Sequence, residues 1–321
     1  MLQRTPKFDP READAAPIRV GVVGAGVFGG YHAQKFASLP GAQLVGVFDL
    51  QTDLAASLCD RIGAGEAFDD LDALIDACDA LVIATPASTH AKLTRKVLES
   101  SRHALVEKPL ALSGVEARAL AALAVDRGLI LQVGHQERLV FEAMGLFAIP
   151  ERPLSLTAVR KGPRSPDGRC EDVSVVFDLM IHDLDLAAEL FGCGADRVTG
   201  DGRSEHTRLL DDASATIRFG EGQAKLEASR CARNRERRMR IDYKSGAVEI
   251  DFLTRTVVNT TPYEVLADVS DILPDPLKAA DEAFLGAIRG VGVSPVTGGV
   301  GARAAELAER VESGALVAEA A

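Results

Sequence analysis

Gly24, Gly26 and Gly29 stand as G-x-G-x-x-G directly after the apolar run Ile18–Val23 and at the mouth of a predicted helix. In that context each glycine has a physical task. The first permits a tight turn, the second lets a pyrophosphate approach the backbone, and the third lets helix and strand pack closely. The helix N-terminus, with Val27 and Phe28, then offers free amides and the positive end of a dipole to phosphate oxygens. A plain glycine-rich turn would carry the same three residues. Asp49 argues against it, because it ends the next apolar run about 20 residues beyond the motif, where a carboxylate accepts hydrogen bonds from the adenosine ribose. Asp49 would also repel a 2′-phosphate, and no Arg follows it in FDLQTD, so the pattern specifies NAD in preference to NADP.

Two other groups have chemical potential with less specific spacing. Lys108 closes the run HALVEKP, and residue type alone reads it as a solvated strand-end lysine. Asp178 and His182 are four residues apart in VVFDLMIHDLDLAAELF, which places them on one helix face together with Asp185 and Glu189. Such a stripe is usually the solvated side of an amphipathic helix. The histidine is nonetheless suited to proton transfer, since its unperturbed pKa is about 6.5. The five cysteines are scattered and never spaced as CxxC, which suggests free thiols with neither a disulfide framework nor a zinc site, and no metal is expected.

The elements that must position these residues follow from periodicity. From Ile18 to about Val133, the runs IRVGVVG, AQLVGVFD, DALVIATP, HALVEKP and LILQVG alternate with helical stretches. Runs that are apolar almost throughout indicate a doubly wound parallel sheet covered on both faces. Ser113 and Glu116 have the spacing of a capping box, so ALSGVEARALAALAVDRG is predicted as a helix. After Gly134 come a loop rich in Arg, Gly and Pro (RKGPRSPDGRC), one helix near Val175 to Phe191, and the alternating strands SATIRFG, QAKLEASR and MRIDYKSGAVEIDF, with a hairpin turn at Ser245-Gly246. Helices PLKAADEAFLGAIRG and GARAAELAERVESGALVAEA close the chain. The expected organisation is a flexible leader over 1–17, a Rossmann domain over 18–133, and an α+β domain with a mostly antiparallel open sheet over 134–321.

With 321 residues, 47% of them hydrophobic and 26% charged, the chain has an ordinary globular balance. No stretch approaches the roughly 18 apolar residues of a membrane helix, and the first 17 residues lack an apolar signal core, so a cytoplasmic protein is expected. The net charge of -11 argues against general polyanion binding. RCARNRERRMR (Arg230–Arg240) lacks the interleaved aromatics of a nucleic-acid site and is read as a strand and turn near the pocket or on an oligomer surface.

ATPASTH (Ala84–His90), VEKPLA (Val106–Ala111), DLMIHDLD (Asp178–Asp185) and EAFLGAIRG (Glu282–Gly290) resemble the glucose-fructose oxidoreductase, inositol dehydrogenase and MocA-like family, and with the glycine loop the similarity spans nearly the whole chain after the leader. The resemblance implies an NAD-dependent sugar oxidoreductase in which Thr85, Pro86, His90, Glu107 and Lys108 border the cofactor. It further implies that Lys108 binds the reacting hydroxyl, that His182 is the general base, and that Asp178 binds and orients substrate. Lys108 is suitably placed, because ligands of open α/β sheets bind beyond strand carboxyl ends and a fixed ammonium there steadies a developing alkoxide.

Within the family, GHQER (Gly134–Arg138) and DVSVVFDLMIHDLD look most like nucleotide-sugar 3-dehydrogenases acting on UDP-N-acetylglucosamine or its uronic acid. Arg138, Arg160, Lys161, Arg164 and Arg169 form a basic set able to neutralise a diphosphate, with a solvated loop residue as the alternative for each. Two departures weigh against that subgroup: ERLVFEA lacks its usual Asn-Pro, and Ser174 replaces a glycine. A free cyclitol or aldose as substrate, and a non-catalytic dinucleotide-binding regulator, stay open as alternatives. A homo-oligomer, dimer or tetramer, is implied, with no nucleic-acid or membrane partner.

Overall fold

A computed structural model describes residues 16–165 and 171–319, so most of the expected leader, and Arg169, lie outside the described residues. In chain order the first sheet and its helices are β1 (Ile18–Val23), α1 (Val27–Phe36), β2 (Ala42–Phe48), α2 (Thr52–Ile62), β3 (Glu66–Phe68), α3 (Leu71–Ala77), β4 (Ala80–Ile83), α4 (Ala87–Glu99), β5 (His103–Val106), α5 (Gly114–Asp126) and β6 (Leu131–Val133). The six strands are parallel in the order β3-β2-β1-β4-β5-β6. All four residues of β4 are buried, as the unbroken apolar runs require of a sheet covered on both faces. The order reverses between β1 and β4, and such a switch point opens a crevice at the strands' carboxyl ends.

The second sheet follows α6 (Glu137–Met144) and contains β7 (Ser155–Lys161), β8 (Arg197–Arg203), β9 (Asp212–Phe219), β10 (Gly222–Ser229), β11 (Glu236–Tyr243), β12 (Gly246–Asp251) and β13 (Thr256–Asn259). Helix α7 (Ile181–Phe191) lies in sequence between β7 and β8, while α8 (Pro276–Ile288) and α9 (Gly298–Glu319) end the chain. The strand order is β13-β12-β11-β7-β10-β9-β8, antiparallel except for the pair β7 and β10. Strand β9 alternates buried and outward residues, the pattern of a sheet with one covered face. The hairpin joining β11 to β12 turns on Lys244 and Ser245, because Gly246 already pairs with Tyr243.

Three local departures from the sequence reading have identifiable causes. Strand β7 absorbs Arg160 and Lys161, which composition had placed in a loop; LTAV ahead of them supplies the alternating strand signal. The expected helix from Val175 begins as a wide π turn over Val176–Met180, where the Ile181 amide bonds to the Val176 carbonyl five residues back. Valines in VSVV crowd the first turn of a regular helix, and the extra residue changes how Asp178 projects relative to His182. Helix α5 starts after Ser113 as anticipated, but the Gly114 amide is taken by the Glu309 carboxylate at 2.9 Å.

Contacts divide the chain into two compact units, one made of residues up to Leu110, Arg118–Gly134 and Leu277–Gly299, the other of Ala111–Ala117, His135–Pro276 and residues from Val300 onward. Periodicity places everything after 133 in one domain, whereas Leu277–Gly299 groups with the first unit. The reason is burial: Phe284 and Leu285 of α8 join Val20, Val22, Phe36 and Leu105 in one core. Phe284 is fully buried. We therefore expect Phe284→Ala to destabilise the first unit by about 3–5 kcal/mol, read as a lower thermal midpoint together with weaker NADH binding. A loss near zero would place α8 outside that core.

Candidate functional site

The glycine loop closes on itself so tightly that only glycine fits at two of its positions. Gly24 has φ +103°, and a Cβ on Gly29 would lie 1.8 Å from the Gly24 carbonyl oxygen. Gly26 differs, since a Cβ there would meet nothing within 4 Å. It caps α1 without any side-chain hydrogen bond, so the first amides of α1 have no side-chain cap. An open approach beside uncapped helix amides fits a pyrophosphate. Asp49 follows β2 and is oriented by the same loop, its Oδ2 accepting from the Ala25 amide at 2.7 Å and its Oδ1 from the Gln51 amide at 2.9 Å. Val27 and Phe28 are exposed, at 51% and 40%.

Along β4 and β5 the expected cofactor residues separate into two kinds. Pro86 is exposed and precedes α4, and the Thr85 hydroxyl meets Thr89 at 2.7 Å. His90 is buried instead, with Nδ1 2.6 Å from the Pro109 carbonyl and Nε2 2.9 Å from the Thr85 carbonyl. Both ring nitrogens face backbone carbonyls, and burial lowers its pKa, so His90 packs against the strand ends where a cofactor contact had been expected. Glu107 departs in the same way. It is buried, and its carboxylate meets His32 Nε2 at 3.1 Å and the Lys108 amide at 3.3 Å. Lys108 is half-buried in a turn with a cis Lys108-Pro109 peptide.

In the second unit, His182 is near the start of α7 with a side chain 13% exposed, and its Nδ1 lies 3.4 Å from Glu137 Oε1. The His135 ring stands edge-on to it, with centroids 6.2 Å apart. Glu137 is the hub of this cluster. It accepts from Arg160 Nη1 and Nη2 at 3.0 and 2.9 Å and pairs with Arg237 at 2.6 Å. Burial by itself would raise the Glu137 pKa, but Arg160, His182 and Arg237 hold it well below the usual carboxylate range. Asp178 is half-buried in the π turn one helical turn earlier.

The basic set expected to grip a diphosphate is largely committed elsewhere. Arg138 is buried and holds Asp185 through Nε and Nη2 at 2.6 and 2.9 Å, with Glu189 at 2.9 Å from Nη1. Arg160, also buried, binds Asp183 at 3.0 and 2.9 Å besides Glu137. Lys161 pairs with Glu227 at 2.5 Å and Arg164 with Glu171, both in more exposed positions. The stripe Asp185 and Glu189 is thus partly an internal ion-pair face. What the residue pattern missed was His135, Glu137 and Asp183, all inside motifs already noted, and Arg237, inside the second basic stretch. No local signal distinguishes a charged residue that will be buried by a partner distant in sequence.

The oxidoreductase family described by its NAD-binding Rossmann fold matches residues 18–135, and the GFO/IDH/MocA C-terminal domain matches 153–249. The chain is 38% identical over 246 residues to UDP-N-acetylglucosamine 3-dehydrogenase of Acidithiobacillus ferrooxidans, covering 75% of this chain and 76% of that protein. It is 30% identical over 285 residues to scyllo-inositol 2-dehydrogenase (NAD(+)) of Bacillus subtilis, covering 83% of each. The solved structure of the Acidithiobacillus ferrooxidans enzyme superposes with a TM-score of 0.83 at 33% identity, over 94% of this chain and 99% of that one.

Asp49→Ala should narrow a clear preference for NAD over NADP in binding titrations, because it removes both the ribose acceptor and the repulsion of a 2′-phosphate. Equal affinities in the wild type would overturn the assignment. The depressed pKa of Glu137 gives stability that is present above about pH 4.3 and lost as pH falls through its lower folded value. Glu137→Gln should accordingly flatten the acid limb of a plot of unfolding free energy against pH.

Proposed function

Because the chain belongs to the GFO/IDH/MocA oxidoreductase family, we propose that it oxidises the 3-hydroxyl of a UDP-N-acetylhexosamine, with UDP-N-acetylglucosamine first, giving a 3-keto sugar as NAD is reduced. The observation that carries the substrate is the likeness to UDP-N-acetylglucosamine 3-dehydrogenase, which extends across most of both chains. Gly24, Gly26 and Gly29 with the α1 amides hold the pyrophosphate in this reading, and Asp49 holds the ribose. The nicotinamide, when bound, supplies the hydride acceptor.

Side chains supply the remaining chemistry. His182 accepts the hydroxyl proton, Asp178 orients the sugar, and Lys108 steadies the oxygen as it gains charge. Glu137, 3.4 Å from His182, stabilises the imidazolium that results. For the diphosphate, the ion pairs decide which cations remain in play. A buried arginine removed from its carboxylate leaves an uncompensated charge that costs about 3–5 kcal/mol, so Arg138 and Arg160 stay where they are. The more exposed pairs of Lys161 and Arg164 are screened by solvent and contribute little, and a phosphate can replace their carboxylates. As part of the same reading the enzyme acts in the cytoplasm as a homo-oligomer, two copies meeting on the open face of the second sheet around Thr157, Val159, Arg240 and Val258.

The internal commitment of Arg138 and Arg160 also favours a second reading, oxidation of a free cyclitol, which needs no anionic anchor. A single-turnover experiment separates the two. Enzyme, NAD and UDP-N-acetylglucosamine should give NADH and a keto sugar detectable by mass spectrometry. Lys108→Met and His182→Ala should bind NAD nearly normally yet lose on the order of 100-fold in rate. If inositol is oxidised while UDP-sugars fail to bind, the nucleotide-sugar reading is wrong.

A further inference from the structure

His32 lies on α1, three residues beyond Gly29, and its side chain is completely buried. Its Nδ1 is 2.8 Å from Asp281 Oδ1 and its Nε2 is 3.1 Å from Glu107 Oε1. Asp281 belongs to α8 and is itself fully buried, so one imidazole joins the helix of the glycine loop, the Glu-Lys-Pro turn after β5, and a helix from near the end of the chain. A neutral imidazole has one N–H, whereas an imidazolium donates from both nitrogens, as two carboxylate partners demand. Burial alone would strip the proton from His32, but Asp281 above all, and Glu107 with it, hold its pKa up at about 10. Burial raises the Asp281 pKa in turn, opposed by His32 and more weakly by Lys35 on α1. His90 and Lys108 are the other titratable groups acting around Glu107.

Glu107 is confined from its other side as well. A Cβ on Gly134 would come within 2.8 Å of the Glu107 carboxylate, so glycine at that position keeps open the space the carboxylate fills. The Lys108 amide, 3.3 Å from Glu107 Oε2, completes the enclosure. Neither His32 nor Asp281 is explained by dinucleotide binding, and neither was singled out by residue pattern.

We propose that His32 is a positioning residue, a buried cation that clamps Glu107 and through it sets the turn carrying Lys108, with Asp281 of α8 as the anchor holding the clamp to the glycine-loop helix. The role given to Lys108 rests on the dehydrogenase reading above, and the clamp itself does not. A lysine that must meet a developing alkoxide loses rate steeply when misplaced by about 1 Å. The dinucleotide contacts of the glycine loop and Asp49 involve none of these three side chains, so clamp and cofactor affinity should come apart.

The test compares wild type with His32→Gln and Gly134→Ala, which displace the Glu107 carboxylate from opposite sides. Both variants should lose at least 10-fold in kcat with UDP-N-acetylglucosamine, while KM and the Kd for NADH change less than about threefold. If kcat is unchanged in both folded variants, or if NADH affinity falls in step with kcat, the positioning role is overturned. The folded pKa of His32 lies above its unfolded value near 6.5, so its stabilisation is complete below about pH 6.5 and is lost as pH rises toward 10. Wild type should therefore lose more stability than His32→Gln over that interval. Side-chain 15N spectra should show His32 as an imidazolium at pH 8; a neutral ring there also overturns the clamp. If no UDP-sugar is turned over by wild type, the substrate reading fails separately. A crystal structure of His32→Gln then decides the clamp, which stands if the Glu107-Lys108 turn has moved and falls if the turn keeps its place.

Discussion

Removing an ion from water costs several kcal/mol even after a protein relaxes around it, so a buried charge persists only where an opposite charge and hydrogen bonds meet it. This chain buries a good deal of charge. Arg138 is matched by Asp185, Arg160 by Asp183 and Glu137, Arg230 by Asp211, and His32 by Asp281 and Glu107. Apart from Arg230 and Asp211, which flank the β9–β10 hairpin, these matches join separate elements of the chain. The pairs are directional as well as neutralising, because a guanidinium fork and a carboxylate meet in a plane and fix each other's orientation.

That constraint organises the second unit around Glu137. Two arginines from neighbouring strands, Arg160 on β7 and Arg237 on β11, converge on a carboxylate at the start of α6, and the same carboxylate faces His182 on α7. The cluster therefore ties two central strands of the sheet to two helices while setting the electrostatic surroundings of the imidazole. Asp211 does similar work nearby. It is fully buried, accepts the amides of Glu205, His206 and Thr207 at 2.6 to 2.8 Å, and binds Arg230, whose Nη2 reaches the Val173 carbonyl at 2.9 Å ahead of the π turn. Charge pairing thus also holds the segment that leads into Asp178.

In the first unit the division of labour is different. Backbone geometry of the glycine loop builds the dinucleotide cradle, where side chains would obstruct, and Asp49 is held by amides alone. Buried side-chain charge pairing enters in the His32 clamp, on the same helix. The presence of α8 in this unit follows from the same two forces, apolar burial of Phe284 and Leu285 on one side and the Asp281 pair on another.

The sequence by itself determined the parallel sheet, the glycine turn after its first strand and the family, because those rest on local periodicity and on residues whose backbone demands are visible in a short window. It also located most strands of the second sheet through their alternation. It placed Arg160 in a loop, assigned Arg138 and Arg160 to a substrate anion, passed over His32, Glu137 and Asp281, and gave α8 to the wrong neighbour. A charged residue looks alike in sequence whether it meets solvent, substrate or a buried partner. Tertiary structure decided among them, since only the folded chain brings Asp185 to Arg138 from 47 residues away and Asp281 to His32 from 249, and pairing energy depends on that proximity and on the exclusion of water.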